Sequence, residues 1–202
     1  MLPAIETAIP TLALIAVAAY LLGSVPFGLV IARIMGLGNL REIGSGNIGA
    51  TNVLRTGSKT AAFLTVLFDA GKGGVAVIIA GLWFGADAAQ IAGLCAFLGH
   101  LFPIWLRFKG GKGVATFLGI LIAISFWAGF ATCMTWLAIA VIFRFSSLAA
   151  LVSAAAAPLW LYVIGPANSA MFALVMALLI WVRHKDNITR LVAGNETRIG
   201  KK

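Results

Sequence analysis

Three segments of the chain combine glycine with short polar and basic side chains. The first reads Gly44-Ser45-Gly46-Asn47-Ile48-Gly49-Ala50-Thr51-Asn52 and is followed by Arg55. Glycine lets a backbone approach a ligand closely, and successive N–H groups can form an anion-binding nest. Ser45, Asn47, Thr51 and Asn52 add donors of short reach, and Arg55 suits bidentate contact with a phosphate. The second segment, Lys109-Gly110-Gly111-Lys112-Gly113-Val114-Ala115-Thr116, sits where a loop enters an apolar helix. N–H groups at a helix N-terminus and lysine charge together favour an anion. The spacing is not that of a nucleotide-binding P-loop, so ATP is not implied. The third segment is Asp69-Ala70-Gly71-Lys72-Gly73-Gly74, within an apolar run. Asp69 and Lys72 are three apart and share a helix face. An ionisable group inside a membrane span is a functional candidate; a structural ion pair is the alternative. The glycines beside Lys72 could also let that helix open locally.

The chain has two histidines. His100 lies one to two turns from the second glycine segment. A neutral imidazole there can position a hydroxyl or take its proton, and a hydrogen-bonded core histidine is the plainer reading. His184 lies in Arg183-His184-Lys185-Asp186-Asn187, which on composition alone reads as a solvated juxtamembrane anchor. No carboxylate pair and no His/Cys/Asp cluster has catalytic or metal spacing. Cys95 and Cys133 lie inside apolar runs and read as small core residues. No metal and no other cofactor is expected.

The elements that must carry these residues follow from composition. Of 202 residues, 61% are hydrophobic and only 10% charged, against roughly 25% charged in a soluble domain. With a mean hydropathy of +1.04, the chain is read as an all-α integral membrane protein, one domain over 1–202. The formal charge of +9 orients helices rather than marking nucleic acid. Every Lys and Arg except Lys72 falls at 33–59, at 107–112, at Arg144, or from Arg183 onward. If these clusters are cytoplasmic, an even number of crossings separates each pair.

Turns at Trp83–Asp87 and Gly165-Pro166 then give two spans each. The run from about Ala8 to Ile31 is one span, and its flanks do not read as a secretory signal. The stretch from Gly113 to Phe143 is long for one helix and short for two of about 20 residues. Basic residues at both ends favour two short spans turning near Ser125–Gly129, with one long tilted helix as the alternative. The expected topology is seven transmembrane helices, N-terminus outside and C-terminus cytoplasmic. The polar inventory converges on the cytoplasmic face, as a receptor for anionic groups beside a membrane.

These segments resemble the bacterial acylphosphate:glycerol-3-phosphate acyltransferases, the PlsY family. The resemblance rests on Gly44–Arg55, on Gly99-His100 with Lys109–Thr116, and on Arg183-His184 with Asn187 and Glu196. Gly23-Ser24-Val25-Pro26-Phe27-Gly28 and Asp69–Gly73 also fit. It implies transfer of an acyl group from acyl phosphate to the 1-hydroxyl of glycerol 3-phosphate, giving lysophosphatidic acid and phosphate. That is the first acylation step of phospholipid synthesis, placed at the cytoplasmic side of the bacterial inner membrane. It implies required roles for Ser45 and Arg55, and a glycerol-3-phosphate loop at Lys109 to Thr116. It implies functional roles for His184 and Asn187, a structural role for Glu196, and an active-site match at Ser147. Ile48 departs from the family pattern, where proline is expected. Acyltransferases that use acyl-CoA or acyl carrier protein carry HxxxxD; here the fifth residue after His100 is Trp105 and after His184 is Thr189.

Acyl phosphate is an activated mixed anhydride. The protein's tasks are to hold two phosphates together and stabilise the developing oxyanion. Arg55, Lys72, Lys109 and Lys112 can supply cations, with donors from Ser45, Asn47, Thr51 and Asn52. The proton acceptor is His100 or the substrate's own phosphate. Direct transfer is favoured over a covalent intermediate on Ser45, because no His/Asp pair is evident beside it. The expected catalytic residues are Ser45, Arg55, His100 and Asn187. Expected substrate contacts are Asn47, Thr51, Asn52, Lys72, Lys109, Gly110, Gly111, Lys112, Gly113, Ser147 and His184, with Asp69 and Glu196 structural. The competing readings are an anion transporter and a non-catalytic anchor for anionic lipid. The first lacks distributed intramembrane charges, and the second leaves the glycine segments unexplained.

Overall fold

The computed structural model describes residues 3–200, all helix, turn and loop. The first apolar run holds two helices, α1 (Ile9–Gly23) and α2 (Phe27–Ile34). Pro26 lies between them and has no N–H with which to continue the hydrogen-bond ladder. A single helical turn, α3 (Ala50–Val53), follows within a long loop. Then come α4 (Lys59–Phe84), α5 (Ala86–Leu101), α6 (Val114–Ile124), α7 (Phe126–Phe143), α8 (Ser146–Ile164), α9 (Ala170–Arg183) and α10 (Lys185–Val192).

The turns expected at Trp83–Asp87, Ser125 and Gly165-Pro166 are all present as helix breaks. The stretch from Gly113 to Phe143 is divided into two helices, α6 and α7, as expected. Among the described residues, five helices are long and apolar enough to cross a membrane, counting α1 with α2 as one; a sixth arises if α9 and α10, bent by 62°, are taken together. With 11 residues, α6 is only about 16 Å long at 1.5 Å per residue, about half a hydrocarbon core. Charge counting locates the breaks in an apolar run, but does not reveal how many of its residues the entering loop takes up.

The chain forms two compact units, one from Ile5 to Ile120 and one from Leu121 onward that also includes Pro3 and Ala4. In the first, α1 packs on α5 through glycine: a Cβ on Gly23 would lie 2.0 Å from the Ala96 carbonyl oxygen, and one on Gly99 would lie 2.2 Å from that of Tyr20. Ala76 and Ala80 of α4 join Ala88, Ala92 and Ala96 of α5 and Leu12 and Ala19 of α1 in one buried cluster, while Leu14, Val17, Leu82 and Trp83 point outward. Small residues inside and large apolar residues outside are what close helix packing in lipid requires. Asp87 accepts the N–H groups of Glu6 at 3.0 Å and Thr7 at 2.8 Å, tying the segment before α1 to the start of α5.

The helix α4 is continuous through the glycines beside Lys72, with no local opening. Gly73 instead permits close contact with α6, since a Cβ there would sit 2.8 Å from Ile120 and 2.9 Å from Thr116. In the second unit, α8 lies against α7 and α9. Gly129 brings the start of α7 against the backbone at Ile122.

Candidate active site

The loop between α2 and α4 is anchored from below. Leu40 and Val53 are fully buried, and Ile48 nearly so. Leu40 and Val53 pack with Ile31 of α2 and Ala61 of α4. Asn39 caps the 3-10 turn Leu40–Glu42 by accepting the Arg41 N–H at 3.1 Å. Gly44 and Gly46 have φ of +55° and +66°, which side-chain-bearing residues rarely adopt. A Cβ on Gly44 would also lie 2.4 Å from the Arg55 guanidinium.

Asn52 organises this loop. Its Nδ2 donates to the Leu40 carbonyl at 2.9 Å, fixing the amide's orientation. Its Oδ1 then accepts from the Ser45 N–H at 3.2 Å and, more weakly, from Ser45 Oγ and Arg55 Nη1 at 3.5 Å each. Ser45 and Arg55 are thereby gathered around one oxygen. Asn47 acts locally, accepting the Ile48 N–H at 2.8 Å. A proline at position 48 has no such N–H, so isoleucine here gives the loop a hydrogen bond that the expected family residue cannot make.

The second glycine segment folds back on the end of α5. Gly110 N–H donates to the Leu101 carbonyl and Gly111 N–H to the His100 carbonyl, both at 3.1 Å. A Cβ on Gly111 would lie 2.2 Å from His100 Nε2, and one on Gly113, at φ +87°, would lie 2.3 Å from the Phe97 ring. These glycines therefore allow the loop to seat on the imidazole. Lys112 and Gly113 immediately precede the first turn of α6, where N–H groups point outward for an anion. Lys109 is exposed.

The third segment supports this loop from within α4. Asp69 Oδ1 lies 2.8 Å from Lys72 Nζ and 3.5 Å from His100 Nδ1, with all three side chains at most 5% exposed. Lys72 Nζ also donates to the Val25 carbonyl at 2.8 Å, at the α1–α2 break, and stands over the Phe27 ring. Lys72 is thus engaged by Asp69, as the ion-pair reading of the two residues has it, and by a backbone carbonyl. An Asp/His pair does exist, centred on Asp69 and His100.

In the second unit, Glu196 gathers three residues from two helices, α8 and α10. Its Oε1 accepts from Ser147 Oγ at 2.8 Å and Asn187 Nδ2 at 2.6 Å, and its Oε2 pairs with Arg190 Nε at 2.7 Å. Burial alone would raise the Glu196 pKa, but the donors from Asn187, Ser147 and Arg190 outweigh it and hold the carboxyl below its ordinary range. His184 is buried, with Nδ1 2.8 Å from the Ile180 carbonyl. The chain beyond Glu196 returns to Arg144, whose carbonyl accepts the Ile199 N–H at 2.7 Å. The segment read as a solvated anchor is thus an ordered hydrogen-bonded element.

Two contributors were not singled out by sequence. Arg190 completes the Glu196 lock. Arg41 donates from Nη1 to the Gly46 carbonyl at 3.3 Å and from Nη2 to the Lys109 carbonyl. Both sit in basic clusters that orient helices, and nothing in the sequence separates them from their neighbours.

The sequence profile described as Glycerol-3-phosphate acyltransferase matches residues 13–194. A glycerol-3-phosphate acyltransferase of Ruegeria sp. is 60% identical over 202 residues, covering 100% of both chains. One from Cereibacter sphaeroides is 57% identical over 201 residues, covering 100% of this chain and 96% of the relative. Among solved structures, the glycerol 3-phosphate form of PlsY (YgiH), an integral membrane glycerol 3-phosphate acyltransferase, superimposes with a TM-score of 0.89 at 41% identity. That match covers 94% of this chain and 96% of the other. The lysophosphatidic acid form of the same enzyme gives a TM-score of 0.86 at 39% identity.

Proposed function

The chain belongs to the glycerol-3-phosphate acyltransferase family, and from that premise we propose its reaction, donor and topology. The 1-hydroxyl oxygen of glycerol 3-phosphate attacks the carbonyl carbon of an acyl phosphate. The carbonyl–phosphate C–O bond breaks, phosphate leaves with the electron pair, and lysophosphatidic acid is formed. The full-length identity to enzymes of this name carries the acceptor and the reaction class. The choice of acyl phosphate, without acyl-CoA, is supported by the absence of HxxxxD and by two cation-bearing glycine loops held side by side.

Arg55, with Ser45 beside it, and the Lys109–Gly113 loop hold the two phosphates close enough for near-attack geometry. Thr51 and Asn47 supply further donors. Lys109 and Lys112 offset the repulsion between the two anions. Enclosure of His100 between Asp69 and Gly111 favours the substrate's own phosphate as proton acceptor. His100 then shapes the glycine loop, and Lys72 and Asp69 form its framework. Ser147, His184 and Asn187 keep the substrate roles that the family resemblance implies.

The topology proposed is one integral-membrane domain over 1–202 with seven crossings, α6 being the short one. The N-terminus is outside, and the active site faces the cytoplasm of a bacterial inner membrane. Purified protein incubated with palmitoyl phosphate and labelled glycerol 3-phosphate is expected to form lysophosphatidic acid, and palmitoyl-CoA is expected not to substitute. Product from palmitoyl-CoA alone would overturn the donor assignment. Product from neither donor would overturn the reaction.

A further inference from the structure

We infer that Arg41 is a positioning residue that sets the separation of the Gly44–Arg55 loop and the Lys109–Gly113 loop. One guanidinium bonds a backbone carbonyl in each: Gly46 through Nη1 at 3.3 Å, and Lys109 through Nη2. The two loops are far apart in sequence and belong to different helix connections, so this planar fork is a direct hydrogen-bonded tie between them.

Both ends of the tie are fixed. The Lys109–Gly110 peptide is held on its oxygen by Arg41 and on its N–H by the Leu101 carbonyl at 3.1 Å. Gly46 turns back at φ +66°, so close that a Cβ there would lie 3.1 Å from the Arg41 carbonyl oxygen. The base of Arg41 is fixed as well. Its N–H is capped by Asn39 at 3.1 Å, and the preceding Leu40 is fully buried and receives Asn52 on its carbonyl. Asn52 is also the residue that gathers Ser45 and Arg55. Leu40-Arg41 is therefore one rigid joint, with Ser45 and Arg55 set from its backbone and the lysine loop set from its side chain.

The functional consequence rests on the reaction proposed above. If each loop holds one phosphate, Arg41 touches neither substrate but fixes the distance between them. A misplacement of about 1 Å costs transfer rate on the order of 100-fold while leaving each binding loop intact. A lysine keeps the charge but replaces the two nitrogens of the planar fork by one compact ammonium, which cannot hold the two carbonyls at the same separation.

The test compares Arg41→Ala and Arg41→Lys with the wild type in detergent, by steady-state kinetics and by amide hydrogen exchange. Both variants are expected to lose about 10- to 100-fold in kcat, with the KM for each substrate within about threefold of wild type. Exchange is expected to rise at residues 44–49 and 109–113 and to stay unchanged in α8. Full kcat in Arg41→Lys would overturn the geometric role in favour of charge alone. A raised KM for glycerol 3-phosphate at unchanged kcat would make Arg41 a substrate ligand instead. Wild-type exchange at 109–113 in Arg41→Ala would show that no tie exists. That last readout needs no turnover, so it decides the tie even if the proposed reaction fails.

Discussion

Glu196 accepts a 2.8 Å hydrogen bond from Ser147, a residue at the start of α8 that lies 49 positions earlier in the chain. The same carboxylate oxygen takes Asn187, and the other oxygen takes Arg190. One carboxylate thus joins α8, α10 and the segment beyond it.

This arrangement predicts acid sensitivity. The Glu196 pKa is held below its ordinary range in the folded state. Its stabilisation is therefore complete above the unfolded value of about 4.3 and is lost as pH falls through the lower folded value. Thermal unfolding in detergent should show a midpoint that drops over that acidic window. In Glu196→Gln the drop should be shallower, on a stability already reduced by about 1–3 kcal/mol, because the amide keeps one acceptor oxygen but sets an NH2 donor against another donor where the second carboxylate oxygen was. An unchanged pH profile in the variant would rule out Glu196 as its source.

Asn52 leads to a second prediction. Its side chain is 2% exposed, and both ends of the amide are used. Asn52→Ala removes the 2.9 Å donor to the Leu40 carbonyl, which keeps only the Ile43 N–H at 3.4 Å, and frees Ser45 and Arg55. Transfer activity should fall by about 100-fold through misplacement, with a stability loss of about 1–3 kcal/mol. Arg55→Ala and Ser45→Ala should remove activity at nearly unchanged stability, because neither leaves a buried acceptor unpaired. Activity assays paired with thermal unfolding of the three variants separate a framework residue from substrate contacts.

Gly111 and His100 should behave as a coupled pair. A methyl group at position 111 would lie 2.2 Å from His100 Nε2, so Gly111→Ala must displace the imidazole or the loop. The alanine should lower activity strongly in the wild type and much less in a His100→Ala background. A double-mutant cycle should give a coupling of about 0.5–3 kcal/mol. Additive effects would mean that the glycine serves the ligand rather than the histidine.

How much of this was readable beforehand depends on the range over which each signal acts. The loop of residues 44–55 was legible by type, because left-handed turns select glycine and short amides reach nearby backbone. The break at Ser125 was legible from basic residues on both flanks. The short α6 was legible in its length but not in its cause, since glycines seating on His100 set its start rather than local propensity. Gly73 read as a weak point in a helix because its partners, Thr116 and Ile120, lie on another helix. Asp69 and His100 are distant in sequence, and their pairing follows from packing of α4 on α5. Arg41 looked like any cytoplasmic charge, since topology signals and site residues draw on the same side chains.

Asp69 and Lys72 supply the last prediction. The pair is 2.8 Å apart, with side chains 3% and 1% exposed. Removing one charge leaves the other buried without compensation, which costs about 3–5 kcal/mol. Asp69→Asn should therefore lower the thermal midpoint sharply and disturb His100, whose Nδ1 faces the same oxygen at 3.5 Å. Replacing both residues, as Asp69→Asn with Lys72→Met, removes the stranded ammonium, and much of the midpoint should return. Activity should not return with it, because the Val25 carbonyl loses the Lys72 ammonium and keeps only the Phe27 N–H, and His100 loses its carboxylate partner. Full recovery of activity in the double variant would confine the pair to stability, whereas recovery of stability alone assigns it to the framework that shapes the glycine loop.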